Sequence, residues 1–197
     1  MSNDAKADLY RKKLDELYVL IQRLRPSSPP EEFESFAQCF TIDCTVYLKS
    51  MNMHRMPGIS RVEAIEDIKE VLEKVHILER EVLHFSLASD GHTVFCETKQ
   101  RINVMGDIIE PFFETEVATF DDTGMIKQLK IYSCWSPIVD IVQRKTGKGP
   151  YAEGERREQF EAYVKQMAMT KIQKRMARLD AEKAESVHGG VGANCCT

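Results

Sequence analysis

The sequence predicts an α+β protein, with helices packed on one face of a curved sheet and a long helix appended at the C-terminal end. Three observations carry this. Apolar residues recur at helical spacing in the segments before His76, the period changes to two from Arg80 onward, and Glu153–Glu185 is rich in charge with only a thin apolar stripe.

At 197 residues the chain is the size of one domain with extensions, and it is large enough to bury a core. Leu9, Leu14, Leu17, Ile21 and Leu24 mark an amphipathic helix over about residues 4–25, closed by Pro26. In SSPPEEFESFAQCF, Ser28 is placed to cap a short second helix, with Glu31 and Glu32 favourable near its N-terminal dipole. Thr41–Ser50 is strand-like. The loop NMHRMPG then leads to a third helix, where Ser60 and Glu63 form a capping box and Val62, Ile65, Ile68, Val71, Leu72 and Val75 make its apolar stripe.

The period-two part consists of REVLHFSLA, TVFCETKQRINV, IIEPFFETEVATF and MIKQLKIYSCW, separated by turns at Ser89-Asp90-Gly91, Met105-Gly106-Asp107 and Asp121–Gly124. Four strands on tight turns make an antiparallel meander. A short helix follows Pro137, and Phe160, Val164, Met167, Ile172 and Met176 stripe the long C-terminal helix. The expected organisation is a domain over residues 1–150, a helical extension over 151–187 and a flexible tail over 188–197.

The net charge of −4 argues against an electrostatic nucleic-acid binder. No signal-peptide core and no membrane-length apolar run is present, so the expected location is the cytoplasm. Cys39, Cys44, Cys96, Cys134, Cys195 and Cys196 lack the paired spacing of a zinc site and read as thiols. No metal motif or phosphate loop appears, so no cofactor is expected.

Glu114 and Glu116 interrupt a strongly strand-forming segment two positions apart, so both carboxylates point to the same face. Physics alone leaves two readings open. Either they look inward with Phe112, Ala118 and Phe120, or they sit outside, paired with Lys99 or Arg101, while Ile109, Pro111, Phe113, Thr115 and Val117 are buried.

The element order, FTIDCTVYL before a Pro-Gly loop and helix, the LHF that opens the meander, and FDDTGMI resemble the nuclear-transport-factor-2-like superfamily over about residues 8–140. Within it, the SnoaL-like cyclases and isomerases, ketosteroid isomerases and scytalone dehydratase are the similar members. The resemblance implies a conical sheet closed by three N-terminal helices around one apolar pocket, with Glu114 and Glu116 inside. It implies Glu116 as the principal acid, His84 as its acid/base partner and Glu114 as a second, tuning carboxylate. Leu48, Phe112, Leu129, Ile131, Ser133 and Trp135 would contact substrate, and Leu48 stands where ketosteroid isomerases carry their proton-shuttling aspartate.

The function this implies is a cofactor-free isomerase, cyclase or dehydratase acting by proton transfer on a hydrophobic polyketide or terpenoid intermediate of secondary metabolism, in a homodimer, with neither nucleic acid nor membrane as partner. The alternative is a non-catalytic dimeric adaptor on the same fold. His54 and Arg55 fall either at the pocket mouth or in solvent.

Overall fold

In the computed structural model, residues 2–50, 53–54 and 56–188 are described, with side chains over 2–48 and 56–181. His54's side chain, Arg55, the tail beyond residue 188 and its Cys195 and Cys196 lie outside the described residues. The chain divides into two compact units, one ending at Gly147 and one beginning at Lys148.

The first unit runs α1 (Asn3–Arg23), α2 (Pro30–Ala37), β1 (Phe40–Ser50), β2 (Met53–His54), α3 (Arg61–Leu72), β3 (Val75–Leu87), β4 (Thr93–Val104), β5 (Asp107–Phe120), β6 (Ile126–Ser133) and α4 (Ser136–Thr146). Its sheet has the order β2-β1-β6-β5-β4-β3. The meander β3–β6 is antiparallel throughout, as short turns between neighbouring strands require. Outside the antiparallel meander that the sequence predicts, β1 lies parallel to β6. The chain between these strands is long, so no hairpin fixes their relative direction, and the sheet is mixed.

Helix α1 buries Tyr10, Leu14, Leu17, Tyr18 and Ile21, a set spaced to one helical face. Each such side chain taken fully from water contributes roughly 1.5–3 kcal/mol. Tyr10 stacks on Phe120 with ring centroids 4.2 Å apart, which fastens α1 over the end of β5. Phe33 and Phe36 of α2, Ala64 and Leu72 of α3, and Val94, Cys96, Ala118 and Leu129 of the sheet complete this main cluster. A second cluster, at the α4 end, joins Val75, Ile102, Val104 and Phe112 with Ile138 and Ile141.

Three local expectations change, the first being that Val75, read as part of the α3 stripe, instead opens β3. Ser28 does not cap α2: its hydroxyl donates to Glu32 Oε2 at 2.7 Å and accepts from the Arg25 amide at 3.1 Å, while α2 begins on Pro29 and Pro30 with no side-chain cap. The hydroxyl thus serves the turn before the helix. Ser60 does cap α3 by accepting from the Glu63 amide at 3.3 Å, and Glu63 returns to the Ile59 amide at 3.1 Å. Val62 is half exposed rather than part of the buried stripe, because Glu63 and Ala64 turn inward at this first helical turn.

The second unit contains α5 (Glu155–His188). Val164, Met167, Ile172, Met176 and Leu179 remain exposed along it. Among the described residues, no helix is long and apolar enough to cross a membrane.

Candidate functional site

Strand alternation and register build the site on the inner face of the sheet. On β4 the inward positions are Val94, Cys96, Thr98, Gln100, Ile102 and Val104, all buried. On β5 they are Phe112, Glu114, Glu116, Ala118 and Phe120, also buried. The opening ambiguity about the two glutamates is thereby resolved: Glu116 has no exposure and Glu114 retains 8 %. The outer-face cations named for them have other partners, Lys99 pairing with Glu81 at 3.0 Å and Arg101 with Glu79 at 2.9 Å.

The register sets each carboxylate beside specific neighbours. Glu116 lies opposite Cys96 on β4 and Ile131 on β6, and Ile131 lies opposite Leu48 on β1. Glu114 lies opposite Thr98 and Ser133. Gln100 Nε2 donates to Glu114 Oε2 at 2.6 Å and to Thr98 Oγ1 at 3.4 Å, while Thr98 Oγ1 donates to Glu116 Oε1 at 3.3 Å. A polar ladder therefore crosses an otherwise apolar face, with each member bonded to the next.

The charge partner of this ladder is Arg80 of β3. Its Nη2 donates to Glu116 Oε2 at 3.0 Å and its Nε to Glu116 Oε1 at 3.4 Å, an approximately two-pronged grip on one carboxylate. Its Nη1 reaches Asp15 Oδ1 of α1 at 2.8 Å. The guanidinium carbon sits 4.1 Å from the centroid of the Tyr18 ring. The Arg80 side chain is buried, and Asp15 is half exposed.

Electrostatics separates the two glutamates. Burial pushes Glu114 up to about 8, with Glu116 adding to the rise and the Gln100 hydrogen bond and Arg80 opposing it. Burial raises Glu116 as well, but there the Arg80 charge and its hydrogen bonds pull directly in the opposite direction. The physical assignment is Glu116 ionised against Arg80 and Glu114 carrying the proton at neutral pH. With Oε2 accepting from Gln100, the other Glu114 oxygen is left to hold and donate that proton. The Tyr18 hydroxyl is buried with no partner at strict hydrogen-bond geometry, yet it lies close enough to Glu116 to help hold its charge, and its own pKa is raised by burial and by the glutamates. Ser133 Oγ stands in the same relation to Glu114.

His84 does not join this group. Counting by two places it inward with Val82, but the β3–β4 register shifts between Val82 and His84, and Phe85 rather than His84 pairs with inward-facing Cys96. The irregularity turns both Leu83 and His84 outward, leaving His84 exposed opposite Glu97. The expected pairing of His84 with Glu116 is corrected accordingly, and Arg80 occupies the partner's place.

The six substrate-contact candidates divide in two. Leu129 and Phe112 are buried in the main and second clusters respectively. Leu48, Ile131, Ser133 and Trp135 are half buried, on the same side of the sheet as Glu114 and near the ends of β1 and β6. Ile131 and Val46 pack against the main cluster and Trp135 against the second, so the less closed end of the inner face has an apolar rim with Glu114 beside it.

Sequence reasoning missed Arg80, Asp15, Tyr18, Thr98 and Gln100. The signal for three of them was present, since Thr98 and Gln100 alternate with Cys96 and Ile102 on one face, and Arg80 is two residues from Val82. A surface depression of about 680 Å³ on α1, lined by Asp8, Arg11, Asp15, Val19, Leu20 and Cys39 among others, shares Asp15 with this group.

No protein-family model matches the sequence, and comparison with curated proteins gives no match. Solved structures do match. A candidate polyketide cyclase from Xanthomonas campestris pv. campestris superposes with a TM-score of 0.50 at 10 % identity, covering 67 % of this chain and 95 % of that one. The fold is nuclear-transport-factor-2-like. Also similar are an LEH-like epoxide hydrolase of M. tuberculosis, with a TM-score of 0.49, 13 % identity and coverage of 70 % and 92 %, and a nuclear-transport-factor-2-like protein of unknown function from Exiguobacterium sp. 255-15, with 0.49, 14 %, 60 % and 95 %. At 10 % identity the likeness to the cyclase structure shows the fold alone, and function rests on the residues of this chain.

Proposed function

We propose that the protein is an acid–base enzyme, an isomerase, cyclase or dehydratase of the SnoaL-like kind, acting on an uncharged hydrophobic polyketide or terpenoid intermediate without a cofactor. The observation that carries this reading is Glu114, a carboxyl group in a buried, hydrogen-bonded setting that keeps it protonated near neutrality, beside a half-buried apolar rim. Glu114 donates its proton to a carbonyl oxygen or leaving hydroxyl as general acid, and the carboxylate so formed takes a proton from the adjacent carbon as general base, which restores the acid. Ser133 supplies a second hydrogen bond, while Leu48, Ile131 and Trp135 hold the substrate skeleton. Glu116, earlier expected as the principal acid, holds Arg80 in this reading, and Glu114 takes the proton-transfer role. A cytoplasmic location belongs to the same reading.

The test uses 2-tetralone, a hydrophobic ketone with acidic α-protons, followed by deuterium incorporation from heavy water. Wild-type protein is expected to accelerate exchange, and Glu114→Gln to lower that rate roughly 10²-fold or more, the usual scale of acid–base catalysis. Equal exchange by wild type and variant would remove the proposal.

A second reading, a non-catalytic adaptor, is favoured by the outward face of the sheet, where Phe95, Phe113 and Tyr132 are each about half exposed. Either reading is compatible with a homodimer formed on that face, which we infer from the cost of leaving it wet. Sedimentation at tens of micromolar is expected to show a dimer, and Phe113→Glu to shift it to monomer with the fold intact. A wild-type monomer at that concentration would contradict the inference.

A further inference from the structure

We propose that Asp15 of α1 is a positioning residue of the site that acts through Arg80, drawing part of its charge away from Glu116 and Glu114 and thereby setting how readily Glu114 releases its proton. This rests on the reading of Glu114 as the site's acid. The geometry is a chain of three charged groups running from the surface inward. Asp15 is half exposed on α1, Arg80 is buried between helix and sheet, and Glu116 is fully enclosed.

The Arg80 fork is divided. Nη1 goes to Asp15 at 2.8 Å, while Nη2 and Nε go to Glu116 at 3.0 and 3.4 Å. Tyr18 is three residues beyond Asp15 on α1 and therefore on the same helical face, and its ring covers the guanidinium. Helix α1 thus supplies both an anchor and a roof for one cation. The titratable and charged groups facing Arg80 are Asp15 and Tyr18 from α1, Cys96 from β4, and Glu116 and Glu114 from β5. Cys96 Sγ, 3.5 Å from Nη2, bears a thiol raised by burial and is uncharged at neutral pH.

The consequence follows from sharing. Part of the Arg80 field that would otherwise act on the glutamates is neutralised by Asp15. Replacing Asp15 by Asn keeps an oxygen that can accept from Nη1 but removes the negative charge, leaving more of the cation's field for Glu116 and Glu114. Glu114 then gives up its proton at lower pH. No ligand need occupy the site for this to be seen, so the effect is separable from turnover.

The test is an infrared titration of the protonated-carboxyl band between pH 4 and pH 10, assigned to Glu114 by its disappearance in Glu114→Gln. It is run on wild type, Asp15→Asn and Glu16→Gln. Glu16 is the adjacent acid on α1, paired with Lys12 and Lys13 rather than Arg80, so it controls for the general field of the helix. The expected result is a midpoint in Asp15→Asn lower by roughly half to one pH unit, with Glu16→Gln unchanged. An unmoved midpoint in Asp15→Asn, or an equal shift in Glu16→Gln, would overturn the role of Asp15. A wild-type midpoint near the ordinary glutamate value would instead defeat the acid reading of Glu114.

Discussion

Replacing Arg80 by Met should destabilise the fold by about 3–5 kcal/mol, the range for removing one partner of a buried pair. The reason is the position of Glu116, which has no exposure and draws its cation from Arg80 alone among the contacts described. With Arg80 gone, the Glu116 carboxylate must take a proton or remain charged in an apolar setting. Most of the loss should return in the double variant Arg80→Met with Glu116→Gln, because the amide keeps the hydrogen bond from Thr98 without the charge. Denaturant unfolding of wild type, both single variants and the double variant gives the coupling directly. Additive losses, with no recovery in the double variant, would show that Arg80 acts through packing alone.

The second large effect is on the pH dependence of stability. Glu114 has a folded-state pKa of about 8, against an ordinary value of 4.5. Between those values the folded protein binds a proton that the unfolded chain does not, so stability falls as pH rises through the window. Below about 4.5 the group costs nothing, and above about 8 the full penalty, on the order of 5 kcal/mol, is present. Glu114→Gln cannot lose a proton and escapes this slope. It should match wild type near pH 5 and be the more stable protein at pH 9, with thermal or urea unfolding as the readout. A variant less stable than wild type at pH 9 would mean that the Glu114 carboxylate is favoured by the fold.

Much of this was legible in the sequence, and the limits are physical. The meander was readable because Gly turns and period-two strands coincide. The inward direction of Glu114 and Glu116 was not decidable from β5, whose two faces are both rich in apolar residues. The neighbouring strand decides it, since Val94, Cys96, Ile102 and Val104 mark one face of β4 as core, and Thr98 and Gln100 share that face. His84 was misplaced because its face was counted by strict alternation through a strand that carries a register shift at that point. A single extra residue reverses every later position and leaves no mark in composition. Arg80, upstream of the shift, kept its face.

Asp15 and Tyr18 were hidden for a different reason. The spacing of α1 shows which residues face the sheet, but not which strand position each will meet. The Asp15–Arg80 contact spans 65 residues of sequence, and both contacts exist only once α1 is docked.

The proposed chemistry requires that Glu114 hold its proton at neutral pH in the folded, unliganded protein. Carbon-13 NMR of the glutamate side-chain carboxyls, with Glu114 assigned by comparison with Glu114→Gln, measures this directly. One carboxyl is expected to titrate at about 8, well separated from the exposed glutamates. If the Glu114 signal instead titrates among the others, near the ordinary value of 4.5, the group is an anion at neutral pH and the proton-transfer site proposed on it is contradicted.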